Sequence, residues 1–153
     1  MAAGTAAPEL PKQYQLVADL PMVMHTLAAF AEVARIHHTL LVIAAGDGFW
    51  NGRMPAARCS LAACGGASRA ETVGNGLKAL QELGANAQDW VLVHDAARCL
   101  VTARLIDTLI DACEHDAVGG LLAHKLPDTL KSATVGPQGA RVAETVDRSD
   151  KWL

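Results

Sequence analysis

The sequence lacks the features that would place the chain in a membrane or against nucleic acid. No stretch approaches the roughly 18 to 20 uninterrupted apolar residues of a membrane-spanning helix. The N-terminal residues show no basic start followed by an apolar core, so we expect a cytoplasmic protein. The 13 Lys and Arg residues, against 16 Asp and Glu residues, form no basic run. Nonspecific binding to nucleic acid or to a membrane surface is therefore disfavoured, and small-molecule chemistry is not excluded.

Cysteine is sparse, and its spacing excludes a zinc site or a disulfide framework. The four cysteines show neither a CxxC pair nor a Cys/His ligand spacing. The six histidines are not spaced as zinc ligands either. We expect buried free thiols at these four positions, which are Cys59, Cys64, Cys99 and Cys113.

The chain is nevertheless long and apolar enough to fold. It has 153 residues, of which 51% are hydrophobic. A chain of this length buries roughly two thirds of its unfolded surface, which excludes a disordered protein and predicts one domain over 1–153.

Helical and strand patterns alternate along the first 126 residues. Such alternation predicts an open, mostly parallel α/β sheet with helices on both faces and ligands at the carboxyl ends of its strands. Pro21 suits a first helical turn, and Ser68 with Glu71 forms a capping box. The predicted elements are a helix over 21–36, strands over 39–45 and 58–63, a helix over 69–83, a buried strand over 90–94, a helix from Thr102 to about 115 and a strand over 119–126.

The segment 127–148 departs from this alternation. It alternates in period two around Gly-Pro-Gln-Gly, which predicts a β-hairpin. Because an isolated two-stranded hairpin is marginal in water, we expect this projecting arm to pack against another chain.

Four groups of residues could carry chemistry, and each has a plainer alternative. Asp95 and Arg98 follow a predicted strand, where they could bind Mg²⁺ and a phosphate or could only form a turn with a balancing charge. Gly65 and Gly66 before a capped helix allow close approach of a ligand but also suit a simple turn, and the Thr72 hydroxyl could bond back to the helix.

Lys12 and the ends of the hairpin complete these candidates. Lys12 lies in a Pro-rich loop, where it could neutralise a phosphoryl group or be a solvated surface residue. Thr129 and Lys131 at one end of the hairpin, with Arg148 at the other, would lie near one another, although cross-strand surface charges are common.

Five motifs in order resemble the 2-C-methyl-D-erythritol 4-phosphate cytidylyltransferase family. The most specific are VHDAAR and TVDR, the latter followed by Trp152. The full set is PKQY at 11–14, GGxxRxxTV at 65–73, VHDAAR at 93–98, DTLK at 128–131 and TVDR at 145–148. The resemblance implies a Rossmann-like nucleotidyltransferase that joins CTP and methylerythritol phosphate, with Mg²⁺, and releases pyrophosphate. It further implies a homodimer formed through the 127–148 arm.

The resemblance also implies roles for individual residues. Lys12 would stabilise the transition state, and Arg148 of a second copy would position the substrate phosphate. Asp95 would bind the metal and the sugar phosphate, and Arg98 and Thr129 would contact methylerythritol phosphate. The implied nucleotide-binding residues are Ala2, Ala3, Gly4, Gly66, Thr72, Asp95 and Ala96.

The match departs from the family pattern at both ends. The family has an apolar strand and an AAGxGxRM loop before PKQY, whereas here only Ala2, Ala3 and Gly4 match that loop. The family also continues beyond Trp152. We therefore expect a fold that is incomplete at the N-terminal strand and the C-terminal third. Two alternatives follow, a catalytically silent relative that still dimerises or binds nucleotide, and a transferase for another polyol phosphate.

Overall fold

The computed structural model describes residues 10–53 and 55–153. These residues form two compact units, with the boundary between Glu114 and His115. A division into compact units is compatible with a single domain, and the single-domain organisation stays a prediction.

The first unit starts with a short ribbon that leads into a helix. A 3-10 turn at Lys12–Tyr14 is followed by the antiparallel strands β1, Leu16–Val17, and β2, Leu20–Pro21. Helix α1 covers Met22–Ala31 and begins one residue later than predicted, because Pro21 is the extended N-cap and the last residue of β2.

The predicted helix is wrong at its C-terminal end, which lies at Ala31 instead of residue 36. Beyond it the chain continues in tighter turns, where the Val33 N–H donates to Phe30 O and the Ile36 N–H donates to Val33 O, both at 3.2 Å. Val33 is nonetheless fully buried. The apolar spacing therefore identified which residues are buried. It did not identify the tighter turns that carry the chain beyond Ala31.

A parallel pair of strands forms the centre of the first unit. Strand β3, Thr39–Val42, pairs with β4, Cys59–Ala62, in a register that sets Thr39 opposite Cys59. Both strands were predicted, and all of their residues are half-buried. This pair is the parallel part of the sheet within the described residues.

Two capped helices follow the strand pair, as predicted. Helix α2 covers Arg69–Glu82, and Ser68 Oγ accepts from the Glu71 N–H at 3.1 Å. Helix α3 covers Ala103–Cys113, and Thr102 Oγ1 accepts from the Leu105 N–H at 3.3 Å. Each cap satisfies a backbone donor that the first helical turn leaves without a partner.

Helix α1 supplies both parts of the core of the first unit. One cluster holds Tyr14, Val23, Leu27 and Trp50, and the other holds Ala29, Phe30, Val33 and Ile106. Because residues of this one helix contribute to both clusters, α1 organises the packing of the elements around it.

The predicted strands over 90–94 and 119–126 are wrong within the described chain. Residues 90–94 make no strand pairing there, and Trp90 and Val93 are 57% and 52% exposed. Leu92 of this segment packs against the second cluster. An apolar run does not specify which other strand would form hydrogen bonds with its backbone N–H and C=O groups.

In the second unit, residues 119–126 make a single bridge instead of a strand. Lys125 pairs with Trp152, and the two backbone bonds between His124 and Leu153 measure 3.0 and 2.9 Å.

The predicted hairpin is confirmed. Strand β5, Leu130–Gly136, pairs antiparallel with β6, Gly139–Val146, and a bulge lies between Ser132 and Ala133. Gly139 follows the two-residue turn with a φ of +98°, a conformation that favours glycine. The hairpin exposes apolar side chains, with Val135 at 85% and Val142 at 67% exposure.

All four cysteines are free, as predicted, but they are half-buried instead of buried. Burial raises the pKa of the Cys59 thiol in β4.

None of the helices in the described part of the chain is long and apolar enough to cross a membrane.

Candidate functional site

Asp95 lies between two guanidinium groups. Its Oδ2 is 2.9 Å from Arg98 Nε, and its Oδ1 is 3.2 Å from Arg69 Nη2. The Arg98 N–H also donates to the Asp95 carbonyl at 2.9 Å, which closes a tight turn. The turn with a balancing charge is therefore present, and binding of Mg²⁺ and a phosphate by this pair stays a prediction.

Arg69 is the residue of this site that sequence reasoning missed. It is the first residue of α2, far from Asp95 along the chain. The available signal was its place in the GGxxRxxTV run at 65–73, which put a cation beside the glycines.

Residues 95–98 form a loop that we call the Asp95 loop. A side chain of helix α1 bonds to the backbone of this loop. Thr26 on α1 is 6% exposed, and its hydroxyl donates to Ala96 O at 2.9 Å. His94 Nε2 lies 3.0 Å from Arg98 O, and the His94 ring lies 5.4 Å from the Phe30 ring. The loop backbone is therefore fixed by core residues, while the charged side chains remain accessible.

We use the name glycine loop for residues 64–68, and its backbone donors are occupied within the protein. The Gly65 N–H donates to Ile43 O at 3.0 Å, the Gly66 N–H to Thr72 Oγ1 at 3.0 Å, and the Ala67 N–H to Glu71 Oε2 at 2.9 Å. Neither Gly65 nor Gly66 lies in a hydrogen-bonded turn or has a positive φ, so the simple turn that the sequence left as an alternative is wrong for these two described residues. The nucleotide-binding role of Gly66 stays a prediction.

Thr72 holds the glycine loop to the first turn of α2. Its hydroxyl accepts from Gly66 and donates to Ser68 O at 2.9 Å, the bond back to the helix that the sequence left as an alternative. A Cβ on Gly66 would lie 2.7 Å from Glu71 Cβ, so the packing requires glycine there. The nucleotide contact of Thr72 stays a prediction as well.

Lys12 is exposed on a turn that an aromatic cluster holds in place. Tyr14, two residues later, is buried and stacks on Phe49 with ring centroids 3.9 Å apart. The Tyr14 hydroxyl donates to Asp47 and accepts from Trp50 Nε1 at 3.2 Å. Burial and the bond to the Asp47 carboxylate raise the pKa of Tyr14. This cluster was not predicted, because its members are far apart along the chain.

In the second unit, the two ends of the hairpin lie together as predicted. Arg148 Nη1 donates to Pro127 O, and Lys131 Nζ donates to Thr145 Oγ1 across the strands. Thr129 and Arg148 are both exposed. The predicted nucleotide residues Ala2, Ala3 and Gly4 lie outside the described residues.

Asp95 is the carboxylate at this site that could hold a metal ion. No group of three His, Cys, Asp or Glu side chains gathers into a metal site in the described ranges. Mg²⁺ binds through one or two carboxylates and completes its shell with water and phosphate oxygens. The carboxylate of Asp95 could therefore bind a Mg²⁺ ion whose other ligands are water and phosphate oxygens. The neighbouring guanidinium groups of Arg69 and Arg98 could pair with the same phosphate.

The architecture is that of an α/β nucleotidyltransferase. A crystal structure of 4-diphosphocytidyl-2C-methyl-D-erythritol synthase superposes with a TM-score of 0.83 at 36% sequence identity. The superposition covers 93% of this chain and 66% of that chain.

Sequence comparison identifies the family within this class. The family model for 2-C-methyl-D-erythritol 4-phosphate cytidylyltransferase matches residues 2–153. The bifunctional enzyme IspD/IspF of Albidiferax ferrireducens is 58% identical over 144 residues, and the 2-C-methyl-D-erythritol 4-phosphate cytidylyltransferase of Paraburkholderia phytofirmans is 45% identical over the same length. The chain belongs to the 2-C-methyl-D-erythritol 4-phosphate cytidylyltransferase family. Each match covers 94% of this chain, which spans 34% and 60% of the two relatives.

Proposed function

We propose that this chain transfers CMP from CTP to 2-C-methyl-D-erythritol 4-phosphate, with release of pyrophosphate, in non-mevalonate isoprenoid biosynthesis. Membership of the family supports the reaction. The observation that carries the proposal is the Asp95 carboxylate between Arg69 and Arg98 at distances of 3.2 and 2.9 Å. We also propose a cytoplasmic location.

The reaction suits a site built from charges. A phosphate oxygen of the substrate attacks the α-phosphorus of CTP, a new P–O bond forms, and the bond to the β-phosphate breaks so that pyrophosphate leaves. Phosphoryl transfer depends mainly on positioning and on neutralising charge. Lys12 neutralises charge on the transferring group, and Arg98 pairs with a substrate phosphate.

Asp95 would hold Mg²⁺ in this proposal. The metal, when bound, would neutralise phosphate charge and orient the triphosphate. For that, at least one carboxylate oxygen of Asp95 must exchange its guanidinium partner for the cation. Gly66, Thr72 and Ala96 form part of the cytidine pocket, and the internal hydrogen bonds at these residues hold it in shape before the ligand arrives.

The proposal extends to the second unit through the family resemblance. Thr129 contacts methylerythritol phosphate, and Arg148 from a second copy positions its phosphate. The 127–148 arm forms the homodimer. Its exposed Val135 and Val142 support this assignment, because apolar side chains on a two-stranded hairpin gain stability when another chain covers them.

The test of the proposed reaction is pyrophosphate release by the purified 153-residue chain. Release that requires CTP, Mg²⁺ and methylerythritol phosphate together is expected. CTP binding by a cooperatively folded chain without release would contradict the proposal and support the catalytically silent alternative. Equal turnover with another polyol phosphate would contradict the assigned substrate.

The role of Arg148 has its own variant and control. Arg148→Ala should reduce turnover far more than CTP binding, because it acts on the second substrate. Arg141→Ala is the matched control, since Arg141 is an exposed arginine of the same hairpin that bonds to Gln138. Equal loss of turnover in the two variants would contradict a specific role for Arg148.

A further inference from the structure

The charges around Asp95 do not balance. Two guanidinium groups from different parts of the fold share one carboxylate, so the cluster carries a surplus of one positive charge. Arg98 belongs to the Asp95 loop itself, whereas Arg69 reaches it from the first residue of α2. Such a surplus favours the approach of an anion, and the amino end of a helix adds to it.

The exposure of the Arg69 pair argues against a purely structural role. The side chain of Arg69 is 66% exposed and that of Asp95 is 36% exposed. Exposed ion pairs contribute little to folding stability, because solvent and salt screen them and because ordering two side chains costs entropy. The Arg69–Asp95 contact can therefore break at little cost when a better partner for either group arrives.

We propose that Arg69 is a further phosphate-binding residue, which passes from Asp95 to the phosphate oxygens of the nucleoside triphosphate. This inference rests on the proposed function. A guanidinium presents two parallel N–H groups that match two phosphate oxygens. The same exchange releases Oδ1 of Asp95, the atom 3.2 Å from Arg69, to bind the cation that accompanies the triphosphate.

The test compares CTP with cytidine, which has no phosphate. Arg69→Gln should weaken CTP binding in the presence of Mg²⁺ roughly tenfold by calorimetry, the loss expected for one charge-assisted contact, and should leave cytidine binding unchanged. Arg69→Lys keeps the positive charge but loses the two parallel N–H groups of the guanidinium. Its loss of CTP affinity should therefore be smaller than that of Arg69→Gln. Arg104→Gln is the control, an exposed arginine on α3 that undergoes the same change of charge.

The outcomes separate this inference from the proposed function. Unchanged CTP binding in Arg69→Gln, or an equal loss for CTP and cytidine, would overturn the role of Arg69 alone. Absence of CTP binding by the unaltered chain would overturn the proposed function and this inference together. Thermal unfolding within about 1 °C of the unaltered chain is expected for both Arg69 variants, because an exposed pair adds little stability.

Discussion

The glycine loop and the Asp95 loop lie in the same unit but use their polar groups in opposite ways. In the glycine loop, three consecutive N–H groups from Gly65 to Ala67 donate within the protein, at 2.9 to 3.0 Å. In the Asp95 loop, the described polar contacts of the side chains are exposed ion pairs. One loop therefore has an internally satisfied backbone, and the other has side chains that can exchange partners.

The two loops therefore differ in which groups are free to exchange partners. A donor that is already bonded within the protein must break that bond before it can bind a ligand, whereas exposed charges exchange partners at little cost. Substitutions in the glycine loop should therefore act mainly on stability. Substitutions of the charged side chains in the Asp95 loop should act mainly on binding and turnover.

The largest expected effect is on turnover. Asp95→Asn should lower the rate of pyrophosphate release roughly 100-fold or more, because the amide lacks the charge that would hold the metal in the proposed reaction. The free energy of unfolding should change by less than about 0.5 kcal/mol, because both ion pairs are exposed. Steady-state kinetics and urea unfolding measure the two quantities. A large loss of stability would contradict the contrast between the two loops.

Gly66→Ala should lower the free energy of unfolding by about 1–3 kcal/mol, because a methyl group there meets Glu71 and displaces its side chain. Gly74→Ala is the matched control within α2, where an added Cβ has no atom within 4 Å. That variant should gain about 0.5–1 kcal/mol from helix propensity. Thermal unfolding of both variants measures the difference, and equal changes would contradict the steric argument.

Thr26→Val tests the point where α1 holds the Asp95 loop. Loss of the bond from Thr26 Oγ1 to Ala96 O should cost about 1–2 kcal/mol, because the carbonyl loses a buried donor. Thr26→Ser keeps the hydroxyl and should retain most of this stability. If valine is tolerated as well as serine in urea unfolding, the loop backbone does not depend on this bond.

The smallest expected effect is in hydrogen exchange of the unliganded chain. The amides of Gly65 to Ala67 should exchange at least roughly tenfold more slowly than those of Asp95 to Ala97, because a bonded amide exchanges only when its bond opens. Within the described chain, the bonded amide of the Asp95 loop is that of Arg98. Exchange measured residue by residue by NMR tests this, and similar rates would remove the distinction between the loops.

Local signals were predicted well from the sequence. The caps at Ser68 and Thr102 and the hairpin turn before Gly139 each depend on neighbours a few residues away. The motif VHDAAR likewise placed Asp95 and Arg98 together, since three residues of a tight turn bring their side chains into contact. Such features can be predicted because they depend on which residue types occupy nearby positions in the sequence.

Contacts between distant segments could not be predicted. Nothing in the run 90–94 specified a partner strand, so its apolar pattern predicted a pairing that the described chain lacks. The bond from Tyr14 to Asp47, across 33 residues, and the pair of Arg69 with Asp95 were missed for the same reason. Long-range pairs depend on how the elements pack, which periodicity does not report.

The family and the residues that could carry the chemistry followed from the order of residues alone, because the five motifs are short and each is read from adjacent positions. Tertiary structure alone decided that the donors of the glycine loop are already occupied and that Asp95 has a second guanidinium partner in Arg69. The physical reason is distance along the chain. Residues close in sequence meet through local geometry, whereas residues far apart meet only when helices and strands bury their apolar faces against one another.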